Sequence, residues 1–310
     1  MALGFNFGIP SFGWRAGGAG PSAPATQRAL LAFGNPSDGL AYGVNIVNLI
    51  SNTGVVASNT TTTGSAKYYL SAAGYGGDLA IFAFGTTGST GLSTANLVSN
   101  SGVVASDSAT VATGRYGNST AAGYGADKAI FGWGTGATQT NLVSNTGVIA
   151  SDVAFTGTVR SANGTRYGGD KAMFVGSGIV NYITNTGVVG ADVSIASITN
   201  RNQTGATNYG STGQAILVFG YDAGVLITTN LISNTGVVGA SSTSSAGTGK
   251  FGCVAAGYGG DKAIVGFGSN SSFVKIGLTN LISNTGVVAA DTAAVGTPRG
   301  LTGAAGYSLT

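Results

Sequence analysis

Short apolar runs alternate with turns rich in glycine, asparagine and serine along most of the chain. Residues 253–290 show the pattern clearly. Two turns, Gly259-Gly260-Asp261 and Asn284-Thr285-Gly286, contain residues that tolerate the positive φ angles of tight hairpins. The apolar runs around them predict four short antiparallel strands, at 253–258, 262–267, 276–283 and 287–290.

The segment Asn-Leu-Ile-Ser-Asn-Thr-Gly-Val-Val recurs six times with small changes. Successive copies are 40 to 50 residues apart, which is the repeat length of a β-propeller blade. We therefore expect one four-stranded sheet per copy. The turn glycines that mark the copies are Gly54, Gly102, Gly147, Gly187, Gly236 and Gly286.

A second motif, Gly-Tyr-Gly-Gly-Asp-Lys-Ala-Ile-Phe, precedes the first in each repeat, but its last copy is cut short. Only three residues follow Tyr307, the tyrosine of that copy. The missing half matches the other end of the chain, where Arg28-Ala29-Leu30-Leu31-Ala32-Phe33-Gly34 aligns with Lys262-Ala263-Ile264-Val265-Gly266-Phe267-Gly268. The sequence thus predicts an all-β fold, a six-bladed β-propeller at 25–310 whose last blade is closed by N- and C-terminal strands.

Two further features of the repeat fit this architecture. Small residues on the first strand, such as Ala255, Ala256 and Gly257, suit a crowded position near the propeller axis. The recurring tyrosine is expected to pack as a wedge between neighbouring blades. The six tyrosines are Tyr75, Tyr124, Tyr167, Tyr209, Tyr258 and Tyr307.

The glycine-rich hairpin followed by a hairpin around a Thr-Gly turn resembles the kelch-like group of β-propellers, although Val-Val pairs stand where kelch repeats carry a tryptophan in the last strand. The segments Ser-Asn-Thr-Gly-Val-Val-Ala-Ser and Ala-Ala-Gly-Tyr-Gly-Gly-Asp-Lys-Ala-Ile-Phe also look like glycine-rich repeats of bacteriophage virion and tail-fibre proteins. This resemblance implies a structural virion protein of the tail or a fibre, assembled in the host cytoplasm.

The composition disfavours most enzyme chemistry. The chain contains no histidine, no glutamate and a single cysteine, Cys253, and only 7% of its residues are charged. We therefore expect no enzyme activity, no cofactor and no metal site. Eight of the ten aspartates recur at two fixed positions of the repeat, and only Asp38 and Asp222 fall outside them. A propeller hydrolase, the enzyme alternative, would need a nearby carboxylate pair that this pattern does not indicate.

Charge and hydropathy also limit the partners. The net charge is +3, with basic residues scattered along the chain, so nucleic acid is not an expected partner. No apolar run approaches the length of a membrane helix, so membrane insertion is not expected. The first residues lack the pattern of a secretory signal.

One basic residue recurs thirteen or fourteen positions after each turn glycine, and two interpretations remain open. Each could hold the link between one blade and the next by pairing with an aspartate or with carbonyl groups. Alternatively, all could point to one mouth of the axial channel as an anion-binding ring. The residues are Lys67, Arg115, Arg160, Arg201, Lys250 and Arg299.

Residues 1–24 stand outside the repeat and form the candidate attachment segment. Its aromatic residues are set among glycine, asparagine and proline, and we expect them to dock on other virion proteins: Phe5, Phe7, Phe12 and Trp14. Loops between second and third strands, at 86–94, 134–140 and 269–275, would present polar contacts to a host-surface glycan or protein. The alternatives are a capsid-decorating or tail-connecting propeller with no receptor role, and a carbohydrate-binding lectin.

Overall fold

A computed structural model describes residues 26–37, 42–117, 119–135, 137–198, 200–243, 246–293 and 295–310. The predicted attachment segment, with Phe5, Phe7, Phe12 and Trp14, lies outside these residues. The described part of the chain consists of short β-strands and one 3-10 helix, Ala196–Ile198. No helix in these ranges is long and apolar enough to cross a membrane.

The strands follow one another in a regular order. The first eleven are β1 (Arg28–Ala32), β2 (Ile46–Ile50), β3 (Thr60–Thr61), β4 (Ser71–Tyr75), β5 (Leu79–Ala83), β6 (Thr94–Val98), β7 (Ser108–Ala109), β8 (Thr120–Tyr124), β9 (Lys128–Gly134), β10 (Ala137–Val143) and β11 (Val153–Ala154). The others are β12 (Asn163–Tyr167), β13 (Lys171–Gly176), β14 (Ile179–Ile183), β15 (Val193–Ser194), β16 (Gly205–Tyr209), β17 (Gln214–Val218), β18 (Thr229–Ile232), β19 (Val254–Tyr258), β20 (Lys262–Gly266), β21 (Thr279–Ile282) and β22 (Gly303–Tyr307).

These strands form six small antiparallel sheets, which confirms the predicted six-bladed β-propeller. Blade I contains β22, β1, β2 and β3, and blades II, III and IV contain β4–β7, β8–β11 and β12–β15. Blades V and VI contain β16–β18 and β19–β21. In these last two blades a single bridge replaces the fourth strand, between Thr229 and Ser242 and between Thr279 and Thr292.

Blade I joins the two ends of the repeat region, as the sequence predicts. Strand β22 pairs with β1 over five residues, from Arg28 opposite Tyr307 to Ala32 opposite Gly303. Because β1 also pairs with β2, the blade is continuous across the closure. The N–H of Gln27 extends the junction by donating to Ser308 O at 2.8 Å.

The first hairpins of neighbouring blades are joined by a ring of backbone hydrogen bonds. The residue after the repeated tyrosine donates its N–H to a carbonyl in the next blade over 2.7–2.9 Å. Both ends of the repeat region take part, since Gln27 O accepts one bond and the Ser308 N–H donates another. The six bonds are Gly76 to Asp127, Gly125 to Asp170, Gly168 to Gly213, Gly210 to Asp261, Gly259 to Gln27 and Ser308 to Asp78.

Each repeated tyrosine packs on the Thr-Gly turn of the next blade, as the predicted interblade wedge. Tyr75 of blade II, for example, lies against Gly147 of blade III. The φ angle of Gly147 is +81°. A methyl group on any of the six turn glycines would come within 2.6–2.9 Å of the tyrosine that packs on it. Glycine is required here both for the close approach and for the positive φ.

The predicted fourth strand at 287–290 is wrong in position. Val288 makes one bridge to Ile282, and the fourth-strand contact of the blade lies further on, at Thr292. The physical reason is the buried side chain of Asn280, whose amide donates to Ala289 O at 3.0 Å and to Asp291 at 2.9 Å. These side-chain bonds interrupt the backbone ladder between the two contacts.

The hydrophobic core lies between adjacent blades. Second strands are covered on both faces, and residues 29–32 of β1 are fully buried. One interblade cluster joins Ile81 of blade II to Ala129, Phe131 and Val143 of blade III. First strands line the axis with small residues, so the taper expected from the sequence is present.

We predict that Gly147→Ala lowers the free energy of unfolding by about 2 kcal/mol or more, because the new methyl group meets Tyr75 and Leu97 at a positive φ. Gly88→Ala is the control, since a Cβ there meets nothing within 4 Å, and its effect should stay within about 0.5 kcal/mol. Urea unfolding followed by circular dichroism measures both. Equal stability of the two variants would contradict the tyrosine contact.

Candidate functional site

The six repeated cations lie inside the contacts between blades. They are 0–7% exposed, and none of them lines the axial channel. The structure therefore does not place Lys67, Arg115, Arg160, Arg201, Lys250 and Arg299 as a ring around a channel mouth. The reason is that each side chain turns into the blade that follows it, where it finds a polar partner.

That partner is a buried asparagine on the third strand of the blade. Lys67 Nζ donates to Asn96 Oδ1 at 2.8 Å, and Arg299 Nη2 donates to Asn48 Oδ1 at 2.8 Å. The remaining pairs are Arg115 with Asn141, Arg160 with Asn181, Arg201 with Asn230 and Lys250 with Asn280. All six asparagines are fully buried. The geometry of the cations thus matches the first interpretation, in which each cation holds the link between two blades. The acceptor that all six share is an asparagine.

Five of the cations also face an aromatic ring of the preceding blade. The guanidinium carbon of Arg115 lies 3.8 Å from the Phe84 ring centroid, and that of Arg299 lies 4.3 Å from the Phe267 centroid. Lys67, Arg160 and Lys250 lie 5.1–5.2 Å from rings in the same way. Each of these five cations therefore contacts the blade before it through a cation–π contact and the blade after it through asparagine.

Aspartates complete this network in four blades. Asp107 accepts from Lys67 at 2.7 Å and from Asn96 at 2.8 Å. The equivalent carboxylates bind the equivalent asparagine and a backbone N–H of the link: Asp152, Asp192 and Asp291. Blades I and V use neutral acceptors at this position, Asn59 and Ser241. These recurring aspartates therefore have structural partners.

Burial governs the pKa values of the network. It lowers the pKa of Arg115, Arg201 and Arg299 to about 10, so that all three stay charged at neutral pH. Burial also lowers the pKa of Lys67, against the opposing attraction of Asp107. The pKa of Asp107 falls to about 2, because its bonds to Lys67, Ser65 and Asn96 outweigh the burial that would raise it.

The four aspartates of the first hairpins lie at the opposite, solvent-facing part of the repeat. Asp170 and Asp261 accept from the side chains of Asn185 and Asn284 at 3.1 Å, and Asp78 accepts from Asn100 at 3.2 Å. Asp127 pairs with its neighbour Lys128 at 3.3 Å. Within the described ranges no three acidic, histidine or cysteine side chains come together as a metal group.

The axial channel is a cavity of about 380 Å³ lined by the six first strands. Alanine or glycine faces it at the third residue before each repeated tyrosine. The residue just before the tyrosine is glycine in four blades, Arg166 in blade IV and Asn208 in blade V. At this position two adjacent blades therefore place polar side chains in the channel where the other four have glycine.

A ring of exposed valines marks the face that carries the first hairpins. The residue after each Thr-Gly or Ser-Gly turn is a valine with 56–66% of its surface exposed: Val55, Val103, Val148, Val188, Val237 and Val287. The turn is rigid, because a serine or threonine side chain accepts the valine N–H at 3.1–3.2 Å. We call this feature the valine ring.

The loops between second and third strands lie on the other face. Residues 86–94 and 269–275 form loops there, and Phe273 and Val274 are exposed at the second. The predicted loop at 134–140 is shorter than expected. Strands β9 and β10 extend to Gly134 and from Ala137, with a register shift between Ala137 and Thr140.

Cys253 lies in the wall between blades V and VI, among Val218, Phe219 and Val265. Burial raises the pKa of its thiol to about 11, so the reactive thiolate is scarce at neutral pH. Its environment agrees with a packing role.

The six asparagines and Arg166 were not predicted from the sequence. Each asparagine is a polar residue within an apolar third strand, at a fixed six residues before the turn glycine, and this regularity could have identified it. Arg166 could have been found as the one charged residue at a position where four repeats have glycine.

No family model and no curated protein matches this chain. Solved structures share its fold. A protein of unknown function from Bacteroides caccae is 10% identical with a TM-score of 0.50, covering 90% of this chain and 98% of its own. A fungal alcohol oxidase of the AA5 family, in complex with copper, is 12% identical with a TM-score of 0.53, covering 90% and 67%. At these identities the likeness concerns the propeller fold.

We predict that Asn280→Ala lowers the free energy of unfolding by about 2–3 kcal/mol, because buried Lys250 loses the closer of its two acceptors and keeps only Leu278 O at 3.2 Å. Asn284→Ala, four residues away on the exposed hairpin, is the matched control and should cost about 0.5 kcal/mol. Urea denaturation compares the two. A cost for Asn280→Ala no greater than for its control would contradict the network.

Stability should also depend on pH through Asp107. The folded-state pKa of about 2 lies below the ordinary value of 3.8, so this carboxylate stabilises the fold above about pH 4. That stabilisation is lost as the pH falls towards 2. The measurement is the free energy of unfolding between pH 5 and 2, where Asp107→Asn should show a shallower decline than the unchanged protein. Parallel declines would exclude the Asp107 contribution.

Proposed function

We propose that the chain is a non-catalytic structural component of a bacteriophage particle, placed on the tail or a fibre. One face of the propeller would attach to a neighbouring protein of the particle. The other face, with the loops between second and third strands, would contact the host surface. Two observations support this proposal. The repeats resemble those of bacteriophage proteins, and the propeller has two distinct faces.

The valine ring is the observation that carries the attachment role. A single exposed valine on a protein surface needs no explanation. Here the same residue occupies the same rigid turn six times on one face, with more than half of its surface exposed at each position. Repeated apolar contacts of this kind are typical of protein interfaces.

The partner of this face is inferred to be a protein with a flat, apolar contact surface. A membrane or a nucleic acid would be met by clustered basic residues, whereas six of the thirteen basic residues of this chain are buried between blades. The six buried cations hold the disc together and add no charge to its faces. This arrangement favours close packing against another protein.

A structural role is also favoured over catalysis because most of the aspartates bind other residues of the propeller. Eight aspartates lie in the link network or the first hairpins, with the partners described above. The copper named for the alcohol oxidase is a metal that imidazole suits, and this chain has no histidine. The attachment segment 1–24 remains a second proposed contact with other virion proteins.

The proposal predicts that the protein is present in purified particles of the phage that encodes it. Mass spectrometry of those particles should detect the chain, and antibody labelling should place it on the tail or a fibre. Labelling on the capsid would instead support the decorating alternative. Absence from the particles, together with glycan-array binding by the isolated protein, would support the lectin and contradict the proposal.

Replacing all six valines of the ring by serine should reduce incorporation into particles by about tenfold or more, while the circular dichroism spectrum is retained. The matched control replaces exposed valines outside the ring, Val111, Val153 and Val193, by serine. The control should assemble normally. Normal incorporation of the ring variant would contradict attachment through this face.

A further inference from the structure

Arg166 differs from the six link cations in its surroundings. It lies on β12, where its side chain lines the axial channel instead of a contact between blades. A Cβ built on Gly123 of the neighbouring blade would lie 2.5 Å from Arg166 Nη2 and 3.2 Å from its Cζ. The guanidinium group is therefore held against the glycine of blade III, inside the channel.

The guanidinium group of Arg166 lacks the partners that the other arginines have. Its Nε is buried and has no hydrogen-bond partner among the described residues. No carboxylate in those residues forms an ion pair with it within 4.0 Å. By contrast, each of the six link cations donates to an asparagine.

The nearest acidic groups are already engaged elsewhere. Asp127 and Asp170, on the first hairpins of blades III and IV, are the carboxylates that act on Arg166 through space. Asp127 is paired with Lys128, and Asp170 accepts from Asn185. Although burial lowers the pKa of Arg166 to about 10, the side chain keeps its charge at neutral pH. A charge that is partly withdrawn from water and has no bonded partner is unfavourable.

The surroundings of Arg166 suit a small anion. The adjacent blade contributes Asn208, whose side-chain nitrogen lies 3.8 Å from a Cβ built on Gly257 and can donate into the same cavity. The glycines of the other four blades leave room, and the cavity of about 380 Å³ exceeds the size of a small oxyanion with its waters. A guanidinium edge presents two parallel N–H donors, which match two oxygens of a phosphate or carboxylate.

We propose that the axial channel is a binding site for a small oxyanion, with Arg166 as its charged anchor and Asn208 as a second donor. The site lies at the level of the channel where the other blades have only glycine. It is independent of the proposed virion role, since it depends on the channel and not on either face. Inorganic phosphate and acetate represent the two forms of the ligand, tetrahedral and planar.

The variant that tests the site is Arg166→Gly, which restores the residue of four other blades and should therefore fold. At low anion concentration it should be at least as stable as the unchanged protein, because a partly buried charge without a bonded partner is removed. Phosphate or acetate should raise the Tm of the unchanged protein by about 3 °C relative to chloride of equal ionic strength. The variant should show no such shift, and its affinity in calorimetry should be weaker by about tenfold or more.

Lys128→Gln is the control, because it removes an exposed cation on the neighbouring hairpin and should leave anion binding unchanged. A larger response to phosphate than to acetate would identify the tetrahedral form as the ligand, and the reverse would identify the carboxylate. Equal shifts for the unchanged protein and Arg166→Gly would overturn the proposal. Where phosphate gives the larger response, crystals soaked with selenate should show a selenium peak beside Arg166, and an empty channel would then also overturn the proposal.

Discussion

The ring of backbone hydrogen bonds between first hairpins is the constraint on which the rest of the structure depends. Each blade donates one N–H to the next, and Gln27 and Ser308 take part in the two bonds beside the junction between the ends of the repeat region. Because the ring is closed, every blade has a neighbouring blade on each of its two faces. The tyrosine contacts, the link cations and the channel all take their positions from this closure.

Although the chain contains few charged residues, six of its cations are buried between blades, where they stabilise the propeller. Lys67 and its five counterparts connect an aromatic ring or backbone of one blade to an asparagine of the next, where the low dielectric strengthens the contact. If these cations lay on the surface instead, the links between blades would lose the buried contact that holds them. The faces of the disc are consequently free for apolar and polar contacts, as in the valine ring and the loops with Phe273.

The closure could be predicted from sequence because β22 and β1 are two halves of one repeat, and a repeat is recognisable even when it is divided. The fourth strand could not be placed from the sequence, because the side chain of Asn280 makes hydrogen bonds that replace those of the backbone ladder. The sequence does not show whether this side chain points towards the following segment. The cations were found by their spacing, but spacing does not distinguish a side chain facing the channel from one facing a blade. Arg166 was missed because it is a departure from the repeat.

The most direct test of the closed ring is the distance between the two ends of the propeller. Spin labels at the exposed positions Arg28 and Leu309, in a chain with Cys253→Ala, report it by electron paramagnetic resonance. Paired strands predict a single narrow separation of roughly 15 Å or less, about three strand spacings. A broad distribution at much larger separations would show that the ends do not share a blade, and would contradict the account.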